Sequence, residues 1–370
     1  MSDIVTALHK QSALLKLTPE QQQLAPGKPG RFCKILSNKP LSKLLAQQYG
    51  RSRLCLKALH EPGDVWEGVS LVKATQTQNL AAERGIAPRV YDIVRLEDGT
   101  LAQVTDWAPP GVEPSLRGIE KLVQFLQGME IGTAKLVSPS GPSKWDIVTS
   151  MVNWSGDLFL DWGGLYLKDP KKYLERLVDR VSVGITVAQN GKPASITYQA
   201  LPELNLNGQR DTKHRIAAMQ LERVNWYGKT VLSLGCNLGA FCFYAERQGA
   251  RRVVGVDRPM LAAPMREVAN CLGYWNVDFI GIDLTEQAGF IQRETNIKSF
   301  DIVLALSVCN HVGGYASWIA NLCADTLILE GHGGDDPARY LADLQRDFAS
   351  VDMIGFTTDR MRRPVFVCRK

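Results

Sequence analysis

After Gly228 the chain becomes regular: short runs of apolar, β-branched residues alternate with helical stretches of about 10–15 residues. The runs are Thr230–Leu234, Arg252–Asp257, Val277–Asp283, Phe300–Ser307 and Thr326–Glu330. Runs this short and this apolar read as strands buried on both faces, the situation of a parallel sheet covered by helices. Right-handed crossovers then wind the sheet doubly. A helix over Pro337–Phe348 precedes two more strands, Met353–Thr357 and Pro364–Cys368. A basic turn with Arg360, Arg362 and Arg363 joins them, so they read as an antiparallel hairpin.

The first half is patterned differently. Strands are expected at Arg31–Leu36 and Arg53–Leu59 around a helix at Leu41–Gln48. A helix at Leu71–Glu83 and a hairpin of Arg89–Leu96 with Thr100–Thr105 follow, then a Pro/Gly break at Pro109-Pro110-Gly111. With 370 residues, two domains is the natural division. The loop-rich stretch before Gly208 sets it at 1–207 for an α+β domain and 208–370 for the α/β domain.

The first strand of the second half runs into Gly235-Cys236-Asn237-Leu238-Gly239. Glycines four apart with Asn between them make a tight strand-to-helix turn. Gly235 turns where a side chain would clash, Asn237 accepts a left-handed conformation, and Gly239 lets a helix start close to a ligand. Asp257 ends the second strand, 18 residues after Gly239. An acid there accepts the hydroxyl hydrogen bonds of an adenosine ribose. Asp283 ends the third, within reach of an exocyclic adenine amine. Turn and acids together, in order and in register, place a nucleotide-like ligand at the carboxyl edge of the sheet.

These residues resemble the class I S-adenosylmethionine-dependent methyltransferases over about residues 209–370. Gly235, Asn237 and Gly239 match the family's glycine motif, Asp257 its ribose acid and Asp283 its adenine-side acid. The terminal hairpin also matches. The resemblance implies a Rossmann-like methyltransferase fold and S-adenosylmethionine as cofactor. It extends the cofactor contacts to Ser233, Cys236, Phe241, Arg258, Leu284 and Ser307. Ser233 departs from the pattern, because the family usually has an acid there that helps seat the methionine amino group.

Methyl transfer needs an aligned nucleophile and, for a hydroxyl, a base. The chain has five histidines, and two of them follow the fourth and fifth strands, His311 and His332. Imidazole is the usual base near neutral pH. The expectation is that His311 or His332 is the general base, with Glu330 orienting it; the alternative is that they cap the strands or bond the cofactor. Arg210 and Lys213, before the first strand, either present charge to an anionic acceptor or form the solvated face of a packing helix.

In the first half, Lys57 late in a strand and Glu83 on the next helix resemble the small lobe of the protein kinase and aminoglycoside phosphotransferase superfamily. Asp146, Asn153 and the Asp161-Trp162-Gly163 run resemble its catalytic loop and metal-binding acid. No glycine-rich phosphate loop precedes Lys57, and Asp146 and Asn153 are seven apart where five is usual. An unrelated α+β domain that shapes the acceptor pocket is the other reading.

The acceptor expected is a small molecule, sugar or glycan end methylated on a hydroxyl. RNA is the alternative acceptor, a bifunctional methyltransferase and kinase a second, and a non-catalytic nucleotide-binding scaffold a third. The net charge of +5 is spread over both halves and does not demand nucleic acid. Eight cysteines without Cys-x-x-Cys or metal-ligand spacing fit a reducing compartment and no metal site. No run reaches the roughly 20 apolar residues of a membrane span, and no signal-peptide core is present. The chain is therefore expected to be cytoplasmic, without membrane insertion.

Overall fold

The computed structural model describes residues 14–24, 33–60, 65–66, 69–129, 131–133, 154–160, 162, 165–167, 173–174, 186–189, 192–195, 197–204, 206, 208–284, 288–357 and 362–370. The chain divides into two compact units: Met1–Leu174 with Asn270–Trp275, and Glu175–Ala269 with Asn276–Lys370.

The first unit is α+β. Its main sheet has five strands, β1 (Leu14–Leu15), β2 (Cys33–Leu36), β3 (Leu54–Leu59), β4 (Val90–Leu96) and β5 (Leu101–Asp106), in the order β1-β4-β5-β3-β2. Helix α1 (Lys39–Tyr49) lies between β2 and β3, α2 (Leu71–Ala82) precedes β4, and α3 (Leu116–Gly128) follows β5. Asn38 caps α1 by accepting the Leu41 N–H at 2.9 Å, and Gly50, at φ 66°, ends it in the left-handed conformation. The core is apolar, with Leu41, Leu45, Leu56 and Val104 fully buried. Helix α2 buries an unusual polar run, Thr75 to Asn79. Buried amides need partners, and every amide nitrogen of this run finds one, while Gln78 Oε1 has none among the described residues. Asn79 exchanges two hydrogen bonds with the Val90 backbone at 2.7 and 2.8 Å, and Gln103 donates to Thr75 Oγ1 at 2.7 Å.

The second unit is a Rossmann-like α/β sheet. Ahead of its central sheet stand β6 (Thr197–Gln199), β7 (Gly208–Arg210) and α4 (Thr212–Ala218). Then come β8 (Thr230–Leu234), α5 (Ala240–Arg247), β9 (Arg252–Asp257), α6 (Pro259–Leu272), β10 (Val277–Gly281), α7 (Ala288–Thr295), β11 (Phe300–Leu306), β12 (Cys323–Glu330), α8 (Ala338–Asp347), β13 (Ser350–Phe356) and β14 (Pro364–Arg369). The seven-stranded sheet runs β10-β9-β8-β11-β12-β14-β13. Strands β8 to β12 are parallel, and β14 is antiparallel to both β12 and β13. This is the mostly parallel sheet with a terminal hairpin expected for the methyltransferase form of the fold. All five residues of β8 are buried, as a central strand covered on both faces requires. The outer strand β13 is largely exposed, and a register shift between Met353 and Gly355 interrupts its pairing. Such a bulge blunts an open sheet edge.

The boundary expected at 207 lies inside the second unit, for a local reason. Strand β6 pairs in parallel with β7, Ala200 N–H donates to Arg210 O at 3.0 Å, and Arg247 of α5 pairs with Glu203. Residues 197–204 are thereby fastened to the elements that follow them. No helix among the described residues is long and apolar enough to cross a membrane.

Candidate active site

The loop between β8 and α5 takes the shape its sequence demands. Gly235, Asn237 and Gly239 have φ of 62°, 51° and 75°. Asn is one of the few residues that adopts this region without a large penalty. At Gly239 space is as restrictive as the backbone: a Cβ would stand 2.5 Å from Phe279 Cζ. At Gly235 it would meet Val308 Cγ2 at 3.0 Å, so the segment after β11 packs directly on the loop. We expect Gly239→Ala to lose about 2–5 kcal/mol from left-handed strain and overpacking together. Urea denaturation followed by tryptophan fluorescence measures this; an unchanged midpoint would mean that Phe279 and the loop yield freely.

Asp257 fastens the loop to β9. Its Oδ2 accepts the Asn237 N–H at 2.7 Å and its Oδ1 accepts the Arg258 N–H at 2.8 Å. The carboxylate keeps 14% of its side-chain exposure. Since each carboxylate oxygen has two acceptor sites, Asp257 retains capacity for two further donors. Close by, Asn237 Oδ1 is buried with no hydrogen-bond partner among the described residues. An orphaned buried acceptor is a place for a donor from outside the chain.

The other expected cofactor residues fall in different environments. Ser233, Cys236 and Phe241 are buried. Phe241 lies under the Arg215 guanidinium, 4.8 Å from ring centroid to Cζ. Arg258 is exposed. Asp283 is exposed and stands two residues beyond the end of β10, not at its end. Leu284 beside it is half-buried. Ser307, at φ 59°, is buried, and its hydroxyl donates to Glu330. Burial pushes the Cys309 thiol up to about 12 and the Cys236 thiol well up, so neither is a thiolate near neutral pH.

Glu330 does not orient a histidine. It is fully buried at the end of β12, and its carboxylate is gripped by two arginines. Arg210 donates from Nη2 to Oε1 at 2.9 Å and from Nη1 to Oε2 at 3.1 Å. Arg215 donates from Nε to Oε1 at 3.2 Å and from Nη2 to Oε2 at 2.5 Å. Burial opposes ionisation of Glu330, but the charges of Arg215 and Arg210 outweigh it and hold the carboxyl below its usual range. Arg210 therefore belongs neither to a solvated face nor to an acceptor-facing one: it is 4% exposed and anchors the segment before β8 to β12. Lys213 is exposed.

His311 and His332 are brought together. Their ring centroids lie 5.4 Å apart with the planes at 68°. His311 is exposed and its backbone N–H donates to Val308 O at 2.9 Å, which ties it to the residue that packs on Gly235. His332 is half-buried; its backbone N–H donates to Asp335 Oδ2 at 2.8 Å, and its Nε2 is buried without a partner among the described residues. Burial first, then the Arg363 charge, depresses the His332 imidazole below its ordinary range, with a smaller contribution of the same sign from His311. The Ser307 backbone and Asp335 pull the other way and are outweighed.

In the first unit, Lys57 donates from Nζ to Leu160 O at 2.8 Å. Glu83 sits at the C-cap of α2, where its carboxylate meets Arg89 at 3.3 Å and accepts from Asn270 Nδ2 at 3.2 Å. Asp146, Asn153, Asp161 and Gly163 lie outside the described residues.

No family model and no curated protein matches the chain. Solved structures do. The chain is similar to magnesium protoporphyrin IX methyltransferase from Synechocystis PCC 6803 with bound SAH, at 17% identity and a TM-score of 0.35, over 44% of this chain and 89% of that one. It is similar to the bifunctional kinase-methyltransferase WbdD at 20% identity and a TM-score of 0.39, over 53% of this chain and 45% of WbdD, less than half of that protein. The N-terminal domain of EvdMO1, crystallised in the presence of SAH and D-fucose, matches at 16% identity and a TM-score of 0.39, over 54% of this chain and 97% of that one.

Proposed function

We propose that the second unit binds S-adenosylmethionine and transfers its methyl group to a hydroxyl oxygen of a small polar acceptor such as a sugar. The observation that carries this reading is the meeting of two features at one edge of the sheet. The Gly235–Gly239 loop, with Asp257 fastened beneath it, packs on Val308, and His311 hangs from Val308 and faces His332.

The residues fit such a cofactor. Asp257 has acceptor capacity for a ribose diol, and Asn237 Oδ1 is an acceptor still lacking a donor. The left-handed turns at Gly235, Asn237 and Gly239 let the chain double back tightly between β8 and α5. When bound, the sulfonium cofactor supplies an electrophilic methyl group and a good leaving group. The chain aligns the acceptor oxygen and removes its proton. His332 suits the removal of that proton, since burial and Arg363 disfavour its cation, and its Nε2 has no partner among the described residues. His332 Nε2 would accept the proton that the acceptor O–H gives up.

Calorimetric titration of the whole chain with S-adenosylhomocysteine tests the cofactor. Saturable one-to-one binding is expected; no binding by the folded protein would overturn the reading. The base has its own test. Protonation of His332 is disfavoured, so its proton NMR signal should titrate below the roughly 6.5 of a free imidazole, and turnover should fall only below that midpoint as pH drops. A midpoint at or above the free value would remove His332 as the resident base.

A further inference from the structure

Among the described residues, one strongly basic group near this edge has no acid to match it. Arg363 is 6% exposed, and its side chain has one hydrogen bond, from Nη1 to the Tyr198 hydroxyl at 3.3 Å. Its Nε is buried without a partner, and among the described residues no carboxylate pairs with it. A guanidinium cannot shed its charge at neutral pH, so burying one without an anion costs several kcal/mol in general.

The neighbouring acids are already engaged. Glu330 serves Arg210 and Arg215 together, one carboxylate between two cations. Asp335 accepts from the Tyr340 hydroxyl and the His332 N–H, with Arg339 at 3.8 Å. Among the described residues, Arg363 is thus a buried positive charge without a carboxylate, close to the Arg210–Glu330–Arg215 cluster. Its position is fixed by the hairpin: it directly precedes β14, and Pro364 O accepts the Gly331 N–H at 2.9 Å, next to His332. The charge of Arg363 reaches the His332 ring.

We infer that Arg363 receives an oxyanion, a carboxylate or phosphate group carried by the acceptor, beside His332. A guanidinium presents paired N–H groups that match two oxygens of either anion, and Nε provides one of the unused donors. That the anion belongs to the methyl acceptor rests on the methyl-transfer reading; that Arg363 binds an anion does not. The acceptor class narrows accordingly, from polar molecules in general to acidic ones.

The test uses the whole chain, with and without S-adenosylhomocysteine, titrated with inorganic phosphate and, separately, with acetate. Binding is followed on the His332 ring proton and the arginine Nε–H signals. One of the two anions should bind, and which one binds assigns the acid. Arg363→Gln should weaken that binding by about tenfold or more, and Arg363→Lys, which keeps the charge but not the fork, should fall between. In Arg363→Gln the His332 midpoint should also rise, because a repelling charge is gone. Cofactor-product binding should be unchanged in both variants. Equal anion binding by the wild type and Arg363→Gln would overturn the inference, and so would a wild type that binds neither anion. If the Gln variant does not fold, the Lys variant with wild-type anion affinity would overturn it alone. Loss of S-adenosylhomocysteine binding in the wild type with Arg363-dependent anion binding intact would sink the cofactor reading and leave the anion site standing.

Discussion

Glu330→Gln melts the second unit far below the wild type, although the change alters one oxygen to a nitrogen. Glutamine has nearly the shape of glutamate, so packing is preserved and the effect is electrostatic. Two guanidinium groups, both about 4% exposed, lose the anion they share. Removing one partner from a buried ion cluster costs about 3–5 kcal/mol, because the remaining charges stay buried without compensation. In a unit of this size that lowers the melting temperature by roughly 6–20 °C. Ser307→Ala, which removes one hydroxyl donor from the same carboxylate, should cost only about 1 kcal/mol. Differential scanning calorimetry of both variants decides the matter. A Glu330→Gln melting point within about 2 °C of wild type would mean that water or another anion neutralises the arginines. The same cluster sets acid sensitivity. The folded-state carboxyl lies below its unfolded value of 4.5, so its stabilisation is complete above that value and is lost as pH falls through the folded one.

This cluster also marks where reading the sequence succeeded and where it failed. The sheet was legible because buried parallel strands are short and almost wholly apolar. Thr230–Leu234 and Arg252–Asp257 have the expected bounds. The expected third strand runs two residues too far, because periodicity does not register where Ile282 leaves β10 and donates instead to Asp257 O at 2.9 Å. The glycine loop was legible because it is local: its φ values and its tether to Asp257 involve residues about 20 apart. The Arg210–Glu330 contact spans 120 positions, and no local pattern carries it. One signal did exist. Glu330 ends the apolar run Thr326–Leu329, and an acid in a buried strand requires a cation. Arg210 and Lys213 stood just before the sheet as candidates, but an exposed helix face explains a basic segment equally well, and Arg215 carried no signal of its own. Arg363 was hidden for a related reason: in sequence it belongs to a basic turn with Arg360 and Arg362, and only the hairpin buries it while leaving Arg362 exposed.

Asp257→Ala should abolish measurable binding of S-adenosylhomocysteine, and the comparison with Asp257→Asn separates two contributions. In the folded chain the carboxylate already accepts the backbone N–H groups of Asn237 and Arg258. Its remaining acceptor sites are the ones proposed for the ribose hydroxyls. Hydrogen bonds to a charged acceptor contribute about 1.5–3 kcal/mol each, so losing two weakens binding by at least about 100-fold. Alanine also releases the loop, which adds to the loss by leaving the left-handed turn to order on binding. Asparagine keeps one acceptor oxygen and can hold one backbone N–H, so the loop stays largely in place and binding should fall by about tenfold. Melting curves report whether each variant remains folded. Graded loss, Ala greater than Asn with both folded, would show that Asp257 acts on the ligand as well as on the loop. If Asp257→Asn bound as tightly as wild type while Asp257→Ala did not, the acid would serve only to shape the turn. Recognition of the ligand would then have to come from the backbone of the loop and from Asn237, whose Oδ1 is the one buried acceptor there without a donor among the described residues.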